Sequence, residues 1–546
     1  MKSRLSLLIT GVAGIAVLAV LSVGCCTSET AAGTATFPLS EITVGEPLSQ
    51  RIKRNMERLQ EDIYQPPHVF EDLNWPGDFI GRTVLGLAME AEALHSDPAL
   101  LHLLIDSLPG KLNGKGYLGP DYAPCINEQQ LSGHGWLLRG LCEYVKWSGD
   151  RSIMPVVRSV AENLFVAGTE KYPQYPISPE LRSTTGGEAS GTISSEAPDW
   201  MLSTDIGCIF IGMAGLIDAY ELIPEEPLKA AIDSLAARFL EVDLIAVKAQ
   251  THATLSALRG LLKYASLTGD KNLLPEIIRR WDIYENQGMT CCYGNLNWFG
   301  RPDSWTEPCA IVDSYIVAFE LWKATGEVHY RNIAELIYTN ALCHAQRTNG
   351  GFGCDSCPSP EDPFLKVSIP EAYWCCTMRG AEGLARVAES SWATRKDCLY
   401  VPFYRNSSVK SEGLSVRQDS AYPQEGKVSF VFNDNSRGVR SLCIPDLPWA
   451  DSVQVTLNGK RVHTSSSDGF LNIRHRFAEG DKVDVSFNLT VRKDSWNGSA
   501  RYFRGPVQLG LRCDVPAADG AFPEDSLVPV PHLMRIMDKE NLQVLF

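Results

Sequence analysis

The stretch Leu131–Trp147, LSGHGWLLRGLCEYVKW, followed by Ser148-Gly149-Asp150, contains the pattern that governs most of the chain. Its apolar residues recur at the spacing of one helix face. The glycine suits the left-handed position that ends a helix, and the acid after it suits the start of the next helix. The same motif, Ser or Thr, then Gly, then an acidic residue, occurs again at Thr268-Gly269-Asp270 and Thr325-Gly326-Glu327.

On both sides of this stretch, between residues 46 and 396, about twelve amphipathic segments have their apolar residues at helical spacing. Examples are Phe79–Leu94, Ile206–Leu222, Ala253–Leu267, Leu273–Tyr284, Ile311–Ala324 and Ile333–His344. Three copies of the helix–[ST]-G-[DE]–helix pattern, with about six helical hairpins in all, predict an (α/α)6 toroid. An irregular helical domain is the alternative.

After Leu399 the helical periodicity of the apolar residues ends. Short alternating runs lie between turn signals such as Asn458-Gly459 and Asp468-Gly469, which is typical of a β-sandwich. The runs are Lys427–Asn433, Ser452–Leu457 and Lys482–Leu489. We predict a mainly α protein with a C-terminal β-sandwich at 397–515, followed by a Pro-rich tail at 516–546.

Composition and charge limit the function. Of 546 residues, 44% are hydrophobic and 21% charged, which excludes wholesale disorder and a polytopic membrane protein. The 50 basic and 65 acidic residues give a net charge of −15. Because this excess repels phosphate backbones, we expect no nucleic-acid partner.

The N-terminus is typical of an export signal. Residues 1–24 combine a basic start with an apolar run, as a secretory signal peptide does. Leu21 to Cys25 resembles a bacterial lipobox in which Cys25 is lipidated, and residues 25–45 are a predicted linker. We therefore expect a periplasmic or cell-surface lipoprotein of a bacterium that meets the membrane only through a lipid anchor. Plain secretion with cleavage nearby is the alternative.

The chain has 16 cysteines, and their spacing favours metal ligation over disulfides. Adjacent pairs occur at Cys25-Cys26, Cys291-Cys292 and Cys375-Cys376, and vicinal geometry strains a bridge within a pair. Thiolates gathered in pairs are instead typical of metal ligands.

The most informative spacing is Glu307-Pro308-Cys309 followed by Cys375-Cys376, in which Cys375 comes 66 positions after Cys309. One carboxylate and three thiols make a plausible tetrahedral zinc set. Two alternatives stay open from spacing alone. Cys354-x-x-Cys357 can supply two thiols to a structural zinc, and Cys291-Cys292 can replace either pair.

With these motifs, the sequence resembles the non-reducing-end β-L-arabinofuranosidases of glycoside hydrolase family 127, along about 450 residues. The Glu-x-Cys motif with the later Cys-Cys pair is the specific part. The other matching pieces are Gly116-Tyr117-Leu118-Gly119, Glu128 through His134, His252-Ala253, Thr306–Ala310, Tyr422-Pro423, Val455–Gly459, Asp468-Gly469-Phe470 and Gly480-Asp481.

The resemblance implies that Glu307, Cys309, Cys375 and Cys376 hold Zn²⁺ and that Cys375 is also the nucleophile. Metal coordination removes the proton that a free thiol with a pKa near ~8.5 keeps at neutral pH. Attack by Cys375 gives a thioglycosyl intermediate that water hydrolyses, so the anomeric configuration is retained. A purely structural zinc is the alternative.

A glycoside leaving group also needs a proton donor. The family's Glu in a Gly-Glu step has no counterpart here, because Arg301 stands in its place. Asp303 is the nearest carboxylate and is our candidate acid/base. Glu128 is a second candidate, to which we assign a substrate hydrogen bond instead.

Four further residues are candidate substrate contacts. His134 and His252 match family histidines that contact the sugar. Arg301 and Arg379 carry guanidiniums that can grip a carboxylated sugar through bidentate bonds.

These features predict an exported, zinc-dependent, retaining exo-glycosidase that releases a terminal furanoside from plant cell-wall glycans such as pectin. The family default for the sugar is β-L-arabinofuranose. The alternatives are hydrolysis of an acidic branched sugar of the aceric acid type from rhamnogalacturonan II, and a non-catalytic carbohydrate-binding protein with a structural zinc. A lyase is less favoured, since no Tyr, His or Lys base stands beside the cysteines. The oligomeric state is not indicated.

Overall fold

The computed structural model describes residues 33–71, 74–182, 190–497, 499–512, 527–530 and 542–544, the last group by backbone only. The predicted signal peptide at 1–24 and the lipobox Cys25 lie outside these residues. Within them, every helix is either too short or too polar to cross a bilayer.

The helices occupy the first 390 residues. Their bounds are α1 Leu48–Arg58, α2 Asp78–Leu94, α3 Ala99–Ser107, α4 Glu128–Ser148, α5 Met154–Val160, α6 Ile209–Leu222, α7 Glu226–Glu241, α8 Thr251–Thr268, α9 Leu273–Gln287, α10 Pro308–Thr325, α11 Val328–Leu336, α12 Cys343–Ala345 and α13 Cys376–Glu389. A π-helical turn, Ala161–Phe165, continues α5, and another, Ile337–Leu342, joins α11 to α12.

Six helices form a closed inner ring. Each of α2, α4, α6, α8 and α10 packs against the next, α10 packs against α13, and α13 returns to α2. The outer helices α3, α5, α7, α9 and α11 each pack on the inner helix that precedes them, and α1 packs on α13. The predicted (α/α)6 toroid is confirmed, and the first helix of the chain completes its last hairpin.

The glycine punctuation ends three inner helices as the sequence predicts. Gly149, Gly269 and Gly326 follow α4, α8 and α10 with φ of 72°, 72° and 77°. The acid that follows then begins a turn, since Asp150 Oδ1 accepts from the Ser152 amide at 2.8 Å. A residue with a Cβ is strained at this φ, so glycine sets where each inner helix stops.

Other glycines allow the inner helices to approach each other closely. A Cβ at Gly81 of α2 would lie 2.3 Å from the amide nitrogen of Leu137 in α4. A Cβ at Gly215 of α6 would lie 2.1 Å from the carbonyl oxygen of Gly135 in α4. Neither distance is physically possible, so any larger residue would force these helices apart.

The C-terminal part consists mainly of strands. Its two largest sheets have the orders β1-β9-β10-β14-β18-β17 and β16-β15-β19-β13-β12-β11-β2. Their strands are β1 Ala35–Thr36, β2 Ile42–Val44, β9 Ala393–Arg395, β10 Cys398–Tyr400, β11 Ser407–Ser411, β12 Leu414–Ser420, β13 Lys427–Asp434, β14 Ser441–Pro445, β15 Asp451–Leu457, β16 Lys460–Arg461, β17 Ser465–Ser467, β18 Phe470–Arg474 and β19 Lys482–Asn488.

Three smaller sheets complete the fold, with orders β20-β21-β22-β24-β7, β3-β5-β4 and β6-β8, and β23 also pairs with β22. Their strands are β3 Ile126–Asn127, β4 Ile193–Ala197, β5 Trp200–Ser203, β6 Cys354–Asp355, β7 Phe364–Leu365, β8 Val367–Ile369, β20 Val491–Trp496, β21 Ser499–Arg504, β22 Val507–Arg512, β23 Leu527–Pro529 and β24 Leu542–Val544. The strand β7 ties the sheet of the chain's end to the loop that precedes α13.

Two segments predicted as irregular contribute strands. In the predicted linker, β1 pairs with β9 and β2 pairs with β11. In the predicted tail, β23 and β24 both pair with β22. Strands of two or three residues show little alternation, so their sequences alone do not reveal them.

A network of buried charges fills the centre of the ring. Asp218 of α6 lies 3.1 Å from Arg139 Nε of α4 and also pairs with Lys263 of α8. Asp313 of α10 lies 2.7 Å from Arg379 of α13, and Arg139 also pairs with Glu382 of that helix. Since buried charges are tolerated only when paired, this network links five of the six inner helices.

We predict that Asp218→Asn lowers the free energy of unfolding at pH 7 by about 3–5 kcal/mol, because it leaves buried cations with too few partners. Burial alone would raise the pKa of Asp218, but Lys263, Arg139 and Arg259 outweigh it and hold the pKa well below its usual range. The stabilisation is therefore complete above an unfolded pKa of about 3.9 and is lost as the pH falls below it.

Chemical denaturation of both proteins at pH 7 and at acidic pH measures this effect. Glu225→Gln is the matched control: the ion pair between Glu225 and Arg158 is exposed, so its loss should leave the free energy of unfolding unchanged. Equal stability of wild type and Asp218→Asn at pH 7 would contradict the prediction.

Candidate metal centre and active site

A pocket of about 320 Å³ opens where the inner helices begin. It is lined by Trp75, Asp78, Arg82, Ser132, Ser190, Gly191, Asp205, Ile211, Gln250, His252, Asn297, Trp305, Glu307, Cys354, Ile369, Ala372, Trp374, Cys375 and Cys376. Most of these residues stand at or just before the N-terminus of an inner helix. The buried charge network lies beneath them, so the pocket ends inside the toroid.

Glu307, Cys309, Cys375 and Cys376 meet in one cluster in which each residue has a ligand atom within 4.8 Å of the others. The Cys309 sulfur lies 3.3 Å from that of Cys375 and 3.7 Å from that of Cys376. The Cys375 sulfur lies 3.9 Å from Glu307 Oε1. The structure therefore brings together the four residues predicted as metal ligands.

Two helix N-termini build this cluster. Glu307 is the N-cap of α10, and Pro308 suits the first turn because that position needs no amide hydrogen. Cys375 is the N-cap of α13 with φ −144° and ψ −74°, and Cys376 is the first helical residue. This change of backbone direction lets two adjacent sulfurs face one point. The positive ends of both helix dipoles favour negative charge there.

One thiol of the cluster differs from the others. The hydrogen bonds that Cys375 shares with Cys309 and Cys376 hold its pKa well below the usual range, and Arg82 and His252 add to the effect. Burial raises the pKa of Cys309 instead. Cys309 and Cys376 are buried, whereas Cys375 is partly exposed to the pocket. Cys375 is thus the most exposed cysteine of the cluster.

The donor set fits zinc. Zn–S bonds of about 2.3 Å at tetrahedral angles place sulfurs about 3.8 Å apart, close to the observed separations. Thiolate-rich sites favour zinc over magnesium or calcium, which prefer oxygen ligands. The three sulfurs and the carboxylate would supply all four positions.

His252 and Arg82 surround the cluster. His252 Nδ1 lies 3.3 Å from Glu307 Oε1, and its Nε2 lies 3.5 Å from Asp313 Oδ2. Arg82 Nη1 donates to the Cys309 sulfur at 3.3 Å, while the rest of its guanidinium forms a bidentate pair with Asp78. Both rest on Trp136, whose ring stacks with His252 at 5.7 Å and lies 4.1 Å from Arg82. His252 is thus at the pocket, as predicted.

The cysteines of the two alternative zinc sets form no disulfide and do not join the cluster as ligands. Cys291 and Cys292 have their sulfurs 3.7 Å apart in a small apolar cluster, and Cys357 donates to the Asn295 carbonyl at 3.4 Å. Cys354 lies beside Cys376 and lines the pocket. Within the described residues, neither alternative zinc set assembles.

His134 and Glu128 do not reach the pocket, so their predicted sugar contacts are corrected. His134 is fully buried, accepts from the Leu118 amide at Nε2 and donates to the Gln130 carbonyl. Burial lowers the pKa of His134 to about 4. Glu128 is also fully buried, and its carboxylate accepts from Arg182 and the Ser203 amide. Both side chains fasten the loops around the pocket.

Arg301, Asp303 and Arg379 are likewise outside the pocket. Arg301 donates two hydrogen bonds to Asp303, at 2.8 and 2.6 Å, on an exposed turn, and holds the pKa of Asp303 below its usual range. A carboxyl with a lowered pKa and an exposed position does not suit a general acid. Arg379 is fully buried and paired with Asp313. The sequence placed these residues near the ligands along the chain, but their partners direct them elsewhere.

The structure also adds residues that the sequence did not indicate. Asp205, Asp78 and Arg82 line the pocket, as does Trp374. The Asp78–Arg82 pair has the i,i+4 spacing of one helix face, which is a detectable signal. Trp374 adjoins the cysteine pair. Asp205 precedes α6 in a loop, and its sequence context carries no such signal.

Comparison with solved structures establishes the architecture. One match, described as a glycoside hydrolase, has a TM-score of 0.71 at 13% identity over 94% of this chain and 97% of that chain. A GH127 β-arabinofuranosidase gives 0.65 at 14% over 94% and 95%. A GH127 β-L-arabinofuranosidase from Geobacillus stearothermophilus T6 gives 0.62 at 16% over 86% of each chain. At these identities the likeness shows a shared fold. A search of curated proteins found no match.

Two family models match the sequence itself. Residues 232–389 match the model described as "Beta-L-arabinofuranosidase, GH127 catalytic domain", and residues 398–489 match the GH127 middle domain. The first range contains the whole cysteine–glutamate cluster and the second lies in the large sheets. The protein is a glycoside hydrolase. It belongs to glycoside hydrolase family 127.

We predict that the purified chain holds one zinc ion and that Cys309→Ser lowers zinc affinity by more than about 100-fold. The substitution removes a direct ligand, and loss of a group that only hydrogen-bonds to a ligand already lowers metal affinity about 10–100-fold. Metal analysis after dialysis against a graded chelator measures the affinity. Cys125→Ser, which removes an exposed cysteine outside the cluster, is the control. Equal zinc retention by both variants would contradict the assignment.

Proposed function

We propose that this protein is a retaining exo-β-L-arabinofuranosidase in which Cys375 is the nucleophile and Zn²⁺ is held by Glu307, Cys309, Cys375 and Cys376. One observation carries the proposal: of the three clustered cysteines, Cys375 is partly exposed and lines the pocket, whereas Cys309 and Cys376 are buried. A purely structural zinc site needs no such exposure.

The pocket supports action on a chain end. Its volume of about 320 Å³ is at the lower end for ligand pockets and suits one monosaccharide. The lining residues His252 and Arg82 lie against the fully buried ring of Trp136, and Arg139 and Arg379 of the charge network contact the same ring. We infer that these side chains close the inner end of the pocket to a glycan. A terminal sugar would therefore enter with its anomeric carbon towards Cys375.

The chemistry follows from the state of the thiols. Bound zinc would hold the ligand sulfurs as thiolates at neutral pH. The Cys375 sulfur then attacks the anomeric carbon as the glycosidic carbon–oxygen bond breaks, giving a thioglycosyl intermediate. Arg82 meanwhile keeps Cys309 in place through its 3.3 Å hydrogen bond. Water later displaces the sulfur, and the two inversions retain the configuration.

The positions of the arginines favour a neutral sugar. Arg301 and Arg379, which supported an acidic substrate, are paired with Asp303 and Asp313 outside the pocket. Among the described residues, the arginine that lines the pocket is Arg82, and Asp78 already holds it bidentately. A sugar carboxylate would find no unpaired guanidinium there, so β-L-arabinofuranose is a better fit than an aceric acid-type sugar.

The substrate's second sugar would meet aromatic rings. Trp374 at the pocket rim is 48% exposed, and the neighbouring Tyr373 is 37% exposed with its ring 4.9 Å away. Exposed aromatic faces of this kind offer apolar area at a binding site. We assign Trp374 to the sugar that leaves.

Export and a plant-glycan substrate complete the proposal. Export rests on the basic and apolar pattern of residues 1–24 and on the lipobox resemblance at Cys25. The plant-glycan assignment rests on the arabinofuranosidase names of the matched family. Whether the protein is lipidated can be read by metabolic labelling with a palmitate analogue.

We predict that Cys375→Ala loses hydrolysis of aryl β-L-arabinofuranosides by at least about 10⁴-fold in kcat, as removal of a nucleophile does in other enzymes. Hydrolysis in the presence of methanol, followed by NMR, should show methyl β-L-arabinofuranoside from the wild type. Cys125→Ser is the control with full activity.

The same assay separates the alternatives. A carbohydrate-binding protein would bind arabinofuranosides without turnover, and Cys375→Ala would leave its affinity unchanged. Turnover of carboxylated furanosides alone would instead support the acidic-sugar alternative. Inverted product would contradict a Cys375 nucleophile.

We predict that Trp374→Ala raises KM for an arabinofuranosyl disaccharide about tenfold, the size of a lost aromatic contact. The KM for methyl β-L-arabinofuranoside should not change, because it has no second sugar. Leu103→Ala, at an exposed residue of the outer helix α3, is the control. Equal increases for both substrates would place Trp374 against the terminal sugar instead.

A further inference from the structure

The proposed reaction needs a group that protonates the leaving oxygen, and the sequence candidate Asp303 lies outside the pocket. Among the described residues that line the pocket, three have carboxyl groups: Asp78, Asp205 and Glu307. Glu307 belongs to the metal cluster. Asp78 is held by Arg82 through contacts of 2.6 and 3.0 Å. Asp205 remains.

The carboxyl group of Asp205 is held through one oxygen. Its Oδ1 accepts from the Ser190 hydroxyl at 3.1 Å and from the Gly191 amide at 3.3 Å. Its Oδ2 takes no hydrogen bond from a described residue. A group held in this way has a fixed orientation and one oxygen available to exchange a proton with a ligand in the pocket.

The backbone around Asp205 is also fixed. The preceding carbonyl, of Thr204, accepts from Trp298 Nε1 at 3.2 Å, and the following carbonyl, of Ile206, accepts from the Gln250 amide at 3.0 Å. The Asp205 carbonyl itself accepts from the Cys208 amide as α6 begins. The loop is thus pinned to the segments that precede α8 and α10, which carry His252 and Glu307. Such rigidity is what a catalytic group requires.

From this geometry we propose that Asp205 is the general acid and base of the glycosidase reaction. The inference rests on the proposed function, since it assigns the proton donor for the leaving group that Cys375 displaces. It replaces the acid that the sequence placed at Asp303, on a different loop and a different inner helix.

Asp205 carries out both proton transfers of the reaction. In the first step a lone pair of Cys375 Sγ forms the bond to the anomeric carbon, the carbon–oxygen bond breaks, and the leaving oxygen takes the proton from Asp205. In the second step the Asp205 carboxylate accepts a proton from water, whose oxygen bonds to the anomeric carbon. The carbon–sulfur bond breaks, and its electron pair returns to Cys375.

The surroundings of Asp205 support this role. Burial raises the pKa of Asp205, although its bonds to Ser190 and Gly191 oppose the shift. A raised pKa suits a carboxyl group that has to donate a proton. Asp303 shows the opposite shift.

The test compares wild type with Asp205→Asn and Asp205→Ala on substrates that differ in their leaving group. With methyl or sugar leaving groups, which need protonation, kcat/KM should fall by about 10²–10⁴-fold. With 2,4-dinitrophenolate, which leaves without a proton, kcat/KM should change little. Azide should restore turnover of the dinitrophenyl substrate by Asp205→Ala and give the glycosyl azide with retained configuration.

Asp303→Asn is the matched control, and its activity should equal that of the wild type on every substrate. Circular dichroism and zinc content establish that each variant is folded and loaded. Equal losses by Asp205→Asn on good and poor leaving groups would overturn the assignment, as would unchanged activity on both. Absence of turnover by the wild type on all furanosides would refute the proposed function itself, a result distinct from either.

Discussion

Closure of the ring of inner helices is the constraint on which the rest of this structure depends. The six inner helices alternate with outer ones, so all six run in the same direction and begin at one mouth. Glycines such as Gly81 and Gly215 let neighbouring helices approach closely. Buried ion pairs around Asp218 and Asp313 occupy the centre of the ring. A gap in the ring would expose this network, so the wall and its filling stabilise each other.

The parallel direction of the inner helices also explains where the chemistry lies. Each helix presents its unpaired amides and the positive end of its dipole at the mouth, where negative charge is favoured. The Glu307–Cys376 cluster and Asp205 all stand there, close to helix starts. A cluster of anionic side chains that can hold a metal ion is thus placed where the fold already stabilises anions. The short strands and loops between helices, including the one with Asp205, line the same opening.

Hydrogen bonds and ion pairs decide which of the candidate residues are available to a ligand in the pocket. Arg379 lies three residues after the cysteine pair, yet one helical turn directs it into the core, where Asp313 binds it. Arg301 and Asp303 satisfy each other on a turn. His134 and Glu128 use every polar atom to fasten loops. Asp205 differs because Ser190 and Gly191 both hydrogen-bond to its Oδ1, which leaves Oδ2 available to a ligand. A residue's function here depends on which of its atoms remain without a partner.

Helical periodicity predicted the toroid and strand alternation predicted the sandwich. The resemblance to family 127 implied the four residues Glu307, Cys309, Cys375 and Cys376, which the structure brings together. These predictions rest on local features, namely helical periodicity, glycines at helix ends and the Glu-x-Cys and Cys-Cys motifs. Such features can be recognised in the sequence without knowledge of tertiary contacts. The tertiary structure decided the rest: the strands formed by residues 35–44, the exclusion of Arg301, Asp303 and Arg379 from the pocket, and the presence of Asp205 and Trp374 within it. These depend on contacts between segments that are far apart in the chain. Examples are Thr204 with Trp298, Asp313 with Arg259, and the N-terminal strand β2 with β11. The spacing of residues along the chain does not reveal which distant side chain will hydrogen-bond to a given carboxylate oxygen, because that depends on how the helices and loops pack in the closed ring.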